Sequence, residues 1–195
     1  MDAPHISCII MAAGASARFG SDKLAVQLGG RSLLRRACEA VPCERFGRVC
    51  LVTARPEGIA LAREFGFRHV PNGRPEMGAS LTVRLGLEAA GPCDAAMFMT
   101  SDQPLLRRGS VEALLEAWLH EPERIAALSH GGVRGNPVVF PRKYFPELLA
   151  LEGDRGGSAV IRRHPEELLL VDVPAPELAD VDRPADLEFL NTYRE

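Results

Sequence analysis

Residues 9–24 read IIMAAGASARFGSDKL. The apolar run at residues 6–12 has the length and the β-branched content of a buried strand, and it stops abruptly at small residues. The loop that follows carries side chains too small to shield the main-chain N–H groups from a bound anion. We therefore predict a strand that leads directly into a phosphate-binding loop, with backbone donors from Ala12, Ala13, Gly14 and Ala15.

Two cations, Arg18 and Lys23, stand just beyond this loop. Gly20 and Ser21 give the chain freedom to turn between them, so both side chains can reach an anion held by the loop. Lysine occurs elsewhere only at Lys143, which means that Lys23 does not reflect a lysine-rich composition. The stretch is typical of a polyphosphate site, in which we expect Lys23 and Arg18 to bind the ligand and to act in catalysis.

The two best-known phosphate loops do not match this stretch. A Walker A loop requires glycine, four residues and then Gly-Lys-Ser/Thr, whereas Lys23 follows Asp22 and precedes Leu24. A dinucleotide-binding loop requires Gly-x-Gly-x-x-Gly at the end of the strand, and only Gly14 and Gly20 are present. Neither signature is met, and a nicotinamide oxidoreductase on a similar α/β fold is disfavoured.

The stretch resembles the signature of the nucleotidyltransferases, which is roughly Ala-Ala-Gly-x-x-x-Arg-Met-Gly-x-x-Lys. Residues 12–14, Arg18, Gly20 and Lys23 match it, and Phe19 stands where the family usually has methionine. The match is closest to the MobA-like branch and, within it, to the molybdenum cofactor cytidylyltransferases. This resemblance implies a three-layer Rossmann-like nucleotidyltransferase fold of the α/β class, with a mostly parallel central sheet and helices on both faces.

Composition places the chain among ordinary globular proteins. At 195 residues, with 46% hydrophobic and 25% charged residues, it suits a single nucleotidyltransferase domain over residues 1–195. We expect residues 1–123 to form a nucleotide-binding half and residues 124–195 an acceptor-binding and closing part. A net charge of −3 gives no global attraction to nucleic acid. No apolar run approaches the roughly 18 residues of a membrane span, so we expect a cytoplasmic protein.

Predicted strands alternate with predicted helices along the chain. Because this pattern favours a largely parallel sheet, ligands should lie outside the carboxyl ends of the strands, where Gly14 and Asp102 would meet. Residues 130–136 are predicted as an exposed turn. The predicted strands are residues 6–12, 48–53, 67–70, 95–100, 124–129, 137–140 and 168–173, and the predicted helices are residues 32–41, 56–65, 80–90, 108–119, 142–151, 157–164 and 183–193.

Asp102 follows an apolar strand and precedes Gln103-Pro104. An aspartate in this position can simply cap a helix, but beside a phosphate loop a carboxylate is what a magnesium–nucleotide site requires. Residues 99–104 also resemble the family motif Leu-x-Gly-Asp-x-Pro, with Ser101 in place of glycine. We therefore predict that Asp102 binds Mg²⁺ and the nucleotide.

Asp182 is the second predicted metal ligand. Residues 180–186 resemble the family segment Asp-Ile-Asp-Thr-Pro-Glu-Asp, in which the second aspartate binds the metal. The alternative is that Asp182 only caps the last helix, with Asp186 as a first-turn acid. Two carboxylates together would suit Mg²⁺.

Residues 74–81 form a loop that opens a helix and resemble the Gly-Met-x-x-Ser-Leu element of the cytidine-using members. The resemblance implies that Met77, Gly78 and Ser80 bind the base, and that CTP is favoured over GTP. Ser80 can equally be an ordinary helix cap.

The second half contains two further resemblances. Residues 134–140 resemble the branch motif Arg-Gly-Asn-Pro-Val-Leu-Phe, and residues 152–158 resemble a Gly-Asp-Lys-Gly-Ala-Arg loop whose final arginine helps to bind the acceptor. Ser158 stands at that arginine's position. The implied acceptor-binding residues are Asn136, Pro137, Asp154, Gly156 and Gly157.

By resemblance, the reaction would join CTP to molybdopterin bearing molybdenum, giving the cytosine dinucleotide cofactor and pyrophosphate. The product would then pass to a molybdenum hydroxylase or its chaperone. Two alternatives stay open. One is nucleotidyl transfer to a sugar or polyol phosphate on the same scaffold, and the other is a non-catalytic protein that binds the nucleotide or the cofactor.

Overall fold

The computed structural model describes residues 4–14 and 23–193. The predicted loop residues Ala15 and Arg18 lie outside these described residues. Two hydrophobic clusters pack against opposite faces of one central sheet, and a third, smaller cluster surrounds Val181 and Leu190. Within the described residues, no helix is both long enough and apolar enough to cross a membrane.

Seven strands form the central sheet in the order β5-β4-β1-β6-β8-β7-β9. Neighbouring strands are parallel except where β8 pairs with β6 and β7, so the prediction of a mostly parallel sheet is confirmed. A separate hairpin of two short strands, β2 and β3, precedes the first helix. The bounds are β1 Ile6–Met11, β2 Gln27–Leu28, β3 Arg31–Ser32, β4 Arg48–Val52, β5 Arg68–Val70, β6 Ala95–Thr100, β7 Ile125–His130, β8 Val133–Pro141 and β9 Leu168–Asp172.

Helices cover both faces of the sheet. Adjacent residues of a strand point to opposite faces, and Ile9 and Ile10 accordingly belong to different hydrophobic clusters, both with no exposed surface. Helices α1, α2 and α4 pack with Ile10, whereas α3, α5 and α6 pack with Ile9, which confirms the three-layer α/β fold. The bounds are α1 Leu33–Glu39, α2 Pro56–Glu64, α3 Ala79–Ala90, α4 Arg108–His120, α5 Phe145–Leu149, α6 Ser158–Ile161 and α7 Pro184–Asn191.

The prediction of an exposed turn over residues 130–136 is wrong. Gly131 and Gly132 complete the turn alone, with φ values of 55° and 80° that glycine adopts without strain. Strand β8 therefore begins at Val133 and continues through Asn136 and Pro137. The chain reverses within two residues because these glycines match the twist of a tight hairpin.

The helices predicted over residues 142–151 and 157–164 are shorter in the structure. Pro146 has no N–H and is tolerated only in the first turn of a helix, so α5 starts at Phe145 after the 3-10 turn Arg142–Tyr144. Helix α6 likewise occupies only Ser158–Ile161. Most other predicted elements agree with the structure to within two residues at each end.

Strands β1 and β6 bring the two predicted ligand segments together. Met11 and Thr100 are register partners at the ends of these parallel strands. The chain therefore leaves both strands at the same edge, and Gly14 and Asp102 lie at that carboxyl edge as expected from the sequence.

Candidate functional site

A lysine ammonium group and two carboxylates meet at the carboxyl edge of the sheet. The Nζ atom of Lys23 lies 2.9 Å from Asp102 Oδ2 and 3.2 Å from Asp182 Oδ1. Only 12% of the Lys23 side chain is exposed, so water screens these attractions less than it would at the surface. Three residues that the sequence analysis selected separately are in direct contact, and we call them the lysine–carboxylate site.

Hydrogen bonds fix the position of Asp102 and of the segment before α7. Ser101 Oγ donates to Met11 O at 2.9 Å and so ties the end of β6 to the end of β1. The main-chain N–H of Val181 donates to Asp102 O at 2.9 Å, and Gln103 Nε2 donates to Leu178 O at 3.2 Å. The backbone just before Asp182 is therefore held against the loop that contains Asp102.

Glu177 anchors the same segment to α4. The residue is only 4% exposed, and its carboxylate accepts hydrogen bonds from Arg107 N at 3.0 Å and from Ser110 Oγ at 2.5 Å. Arg107 is the N-cap residue of α4 and provides no side-chain cap of its own. A carboxylate is favourable at a helix N-terminus, so Glu177 caps α4 from a distant part of the chain.

Asp186, rather than Asp182, accepts the backbone hydrogen bonds at the start of the last helix. The main-chain N–H groups of Asp182 and Arg183 donate to Asp186 Oδ2 at 2.8 Å and 2.7 Å. These two backbone hydrogen bonds lower the pKa of Asp186. Asp186 thus accepts hydrogen bonds from the N–H groups just before α7. The carboxylate of Asp182 contacts Lys23 instead, and 55% of the Asp182 side chain is exposed.

The charges of the site influence one another. Burial alone would lower the pKa of Lys23, but the hydrogen bonds and charges of Asp102 and Asp182 raise it overall, so the ammonium form persists at neutral pH. Asp180 lies close by. Loss of surrounding water and the nearby carboxylate of Asp102 raise the pKa of Asp180 to about 6, even though part of this residue is exposed.

The donor set of this site fits a hard divalent cation. Asp102 Oδ1 is buried and has no hydrogen-bond partner among the described residues, which leaves one carboxylate oxygen for a ligand. No group of three or more possible protein ligands occurs within residues 4–14 and 23–193. Mg²⁺ is usually bound by one or two carboxylates together with phosphate oxygens and water, so a pair of aspartates is sufficient.

Part of the predicted phosphate loop, in residues 12–14, already forms hydrogen bonds within the protein. Ala12 N donates to Val52 O at 3.0 Å, so this N–H group is not available to a phosphate. Ala12 and Ala13 are buried, whereas Gly14 is exposed. Gly14 O accepts a hydrogen bond from Arg55 Nη2 at 2.6 Å, which places the guanidinium of Arg55 beside Gly14.

The predicted base-binding segment contacts the predicted acceptor loop. Ser80 N donates to Gly153 O at 3.1 Å, and Ala79 N donates to Asp154 Oδ1 at 3.3 Å. Gly78 has φ 83°, and a Cβ atom there would come within 2.4 Å of Gly153 O. Ser80 is only 4% exposed, whereas Met77 is 52% exposed. We call residues 77–80 together with residues 153–158 the double-loop region.

The remaining predicted acceptor residues differ in accessibility. Asn136 is half-buried in β8, whereas Pro137 is buried. A Cβ atom on Gly157 would lie 2.8 Å from the ring of Phe140, so glycine is needed there for packing. Gly156 lies beside Ala79, where an added Cβ atom would make an ordinary contact at 4.0 Å. Within the double-loop region, Asp154 and Gly156 therefore lie against Ala79, whereas Gly157 packs against Phe140.

Residues 8–168 match the family model described as the MobA-like NTP transferase domain. The chain belongs to the MobA-like NTP transferase family. This confirms the resemblance seen in residues 12–23, and it makes the chain a nucleotidyltransferase. Membership of the family does not specify which nucleotide or which acceptor the chain uses.

Two relatives and one solved structure extend the comparison. The chain is 26% identical to the purine catabolism protein PucB of Bacillus subtilis, with 97% of this chain and 98% of that protein covered. It is 29% identical to a probable molybdenum cofactor guanylyltransferase of Nostoc, with coverages of 95% and 90%. A nucleotidyl transferase from Methanothermobacter thermautotroptrophicus superimposes with a TM-score of 0.81 at 19% identity, covering 97% of both chains, and shows the shared fold.

Asp180, Arg55 and Arg134 of this MobA-like domain are further candidates that the sequence motifs do not indicate. Asp180 is two residues from Asp182, and its pKa is raised first by burial and then by the charge of Asp102, both of which arise only in the folded chain. Arg55 comes shortly after β4, the neighbour of β1 in the sheet, so the strand order would have placed it at the same edge. Arg134 belongs to the motif at residues 134–140, but it donates a hydrogen bond to Ser158 of the motif at residues 152–158.

Proposed function

We propose that this MobA-like chain transfers the nucleotidyl group of a nucleoside triphosphate, CTP in preference to GTP, to a molybdopterin-type phosphorylated acceptor and releases pyrophosphate. The observation that carries the proposal is the contact of Lys23 with Asp102 and Asp182 beside the loop that contains Gly14. One ammonium group and two carboxylates at the carboxyl edge of the sheet match the needs of a metal–triphosphate ligand.

The chemistry needs little acid–base assistance from the protein. A phosphate oxygen of the acceptor would form a bond to the α-phosphorus, while the bond from that phosphorus to the bridging oxygen of pyrophosphate breaks. The second pKa of a phosphate monoester is about 6, so the attacking group is already mostly ionised at neutral pH. Lys23 remains protonated and would therefore act by stabilising negative charge on the phosphates rather than as a base.

We assign Asp102 and Asp182 to Mg²⁺, which, when bound, would neutralise phosphate charge. The unpartnered Oδ1 atom of Asp102 and the exposed carboxylate of Asp182 support this assignment. The triphosphate would lie against the backbone of residues 13–15, with Arg18 and Lys23 as its cations. The roles of Ala15 and Arg18 rest on the sequence motif alone.

The preference for CTP rests on residues 77–80. A cytosine ring needs a small recognition surface, and the exposed Met77 together with the tightly packed Gly78 offers a short, rigid one. The guanylyltransferase relative keeps GTP as the alternative nucleotide. We further propose that residues 1–123 hold the nucleotide, that residues 124–195 hold the acceptor, and that a molybdenum hydroxylase or its chaperone receives the product.

The test is pyrophosphate release by the purified chain with Mg²⁺, using CTP, GTP or UTP and molybdenum-loaded molybdopterin. The expected result is release with CTP that is lost in the Asp102→Asn variant. Release with GTP alone would reverse the nucleotide assignment. Release only with a sugar or polyol phosphate would replace the acceptor, and CTP binding without release under any condition would favour a non-catalytic role.

A further inference from the structure

Arg134 is held in place without a carboxylate partner from residues 4–14 and 23–193. Its Nη2 atom donates to Ser158 Oγ at 2.8 Å, and its Nη1 atom makes a long contact of 3.4 Å with Gly135 O. A guanidinium has five N–H donors, and these are the hydrogen bonds that Arg134 makes among the described residues. The side chain is half-buried, so an oriented cation with spare donors lies in a partly desolvated position.

Arg134 lies between the lysine–carboxylate site and the double-loop region. Strand β8 runs antiparallel to β6 with Phe98 opposite Val138, so Arg134 lies beyond the end of β6, towards the carboxyl edge. Ser158 starts α6, directly after the loop in which Gly153 accepts the hydrogen bond from Ser80 N. The guanidinium therefore lies beside the double-loop region, on the sheet edge that also carries Asp102.

A second cation increases the local positive charge. Arg162 N donates to Ser158 O at 3.2 Å, so Arg162 lies one helical turn after the residue that orients Arg134. Desolvation, followed by the positive charge of Arg162, lowers the pKa of Arg134. Arg162 is exposed, so water screens much of its repulsion with Arg134, and an anion bound at Arg134 would be attracted by both cations.

We propose that Arg134, oriented by Ser158 and assisted by Arg162, binds the phosphate monoester group of the acceptor. A planar guanidinium can donate two parallel hydrogen bonds to a phosphate, whereas an ammonium group acts as a point charge. The identification of the phosphate as the acceptor's rests on the proposed function. In that role Arg134 positions the attacking oxygen of the acceptor, while Lys23 stabilises the negative charge of the nucleotide phosphates.

The kinetic test compares Arg134→Gln with Arg124→Gln. Arg124 lies just before β7, at the opposite edge of the sheet, so its variant removes the same charge outside the site. For Arg134→Gln we expect the acceptor KM to rise about 10- to 100-fold, as for the loss of a charge-assisted hydrogen bond, while the CTP KM stays unchanged. Arg134→Lys should recover only part of the loss. An unchanged acceptor KM in a folded Arg134→Gln protein would overturn the proposal.

A binding measurement separates this proposal from the proposed function. We would record the arginine Nε–Hε NMR signals of the wild-type chain during titration with inorganic phosphate, with sodium chloride at equal ionic strength as the control. The expected result is a phosphate-specific shift of the signal that disappears in Arg134→Gln. If this shift occurs but molybdopterin is not a substrate, the anion site stands and the acceptor assignment fails. If the signal does not respond to phosphate, Arg134 only joins β8 to α6.

Discussion

The lysine–carboxylate site and the double-loop region are built in opposite ways. In the first, side chains from distant parts of the sequence meet, and the positive charge of Lys23 offsets part of the negative charge of Asp102 and Asp182. In the second, backbone groups and glycines bring two loops into contact, and the nearby guanidinium of Arg134 has no carboxylate partner in the part of the chain that the structure describes. Charge chemistry defines the first region and shape defines the second, so substitutions should affect the two regions differently.

The largest effect is expected from Lys23→Ala. Removing the ammonium group leaves Asp102 and Asp182 without their cation and removes a preorganised charge from the phosphates, so kcat should fall on the order of 10²- to 10³-fold. The matched control is Lys143→Ala, because Lys143 is the other lysine of the chain and pairs with Glu123 and Glu167 on the surface. Steady-state pyrophosphate release measures both variants. A kcat equal to that of the wild type would remove Lys23 from the catalytic machinery.

The next effect concerns the metal. Asp102→Asn retains the size of the side chain but removes its charge, so the response of turnover to added Mg²⁺ should weaken strongly. Asp94→Asn serves as the control, since Asp94 lies before β6 at the opposite end of that strand. The measurement is a Mg²⁺ titration of activity at saturating CTP. Identical titration curves for Asp102→Asn and the wild type would rule out Asp102 as a metal ligand.

Gly78→Ala tests the double-loop region by shape alone. Gly78 has φ 83° and ψ −176°, a region that essentially only glycine occupies, so alanine there is strained by about 1–3 kcal/mol. Its Cβ atom would also meet Gly153 O at 2.4 Å, so residues 77–80 must move. We expect a higher KM for CTP together with a lower free energy of unfolding. Gly73→Ala is the control, because its added Cβ atom would contact no neighbour within 4 Å. Equal KM values in the two variants would argue against base binding by this segment.

The sequence predicts the first region better than the second for a physical reason. Asp102 directly follows β6, and the parallel order of the strands places it at the same edge as the loop after β1. Lys23 and Asp182 are predicted instead from their match to family motifs of fixed spacing. The contacts of the double-loop region join residues far apart in sequence through backbone groups, which leave no pattern in side-chain type. Strand β8 is longer than predicted for a similar reason. Its extent depends on pairing with β6 and β7, which are distant or separate segments that the local sequence of β8 does not reveal.

A smaller effect is expected from Glu177→Ala, which bears on how the first region is held together. The variant removes the acceptor of Arg107 N and Ser110 Oγ at the start of α4, so the free energy of unfolding should fall by about 1–3 kcal/mol. Because α4 would also release the segment before α7, the KM for the nucleotide should rise. Urea unfolding and steady-state kinetics measure the two effects. A loss of stability with unchanged kinetics would show that Asp182 is positioned without Glu177.

The smallest effect concerns pH and the support of the second region. Burial raises the pKa of Glu147 in α5, but hydrogen bonds from Arg163 at 3.0 Å and from His164 at 2.6 Å outweigh it, and the pKa is lowered overall. A carboxylate with a lowered folded-state pKa contributes stability above its unfolded pKa and loses that contribution as the pH falls through the folded value. Acid should therefore weaken the link between α5 and the residues after α6. Glu147→Gln should flatten the acid side of the curve of unfolding free energy against pH, and an unchanged slope would mean that the contacts of Glu147 with Arg163 and His164 do not contribute to stability.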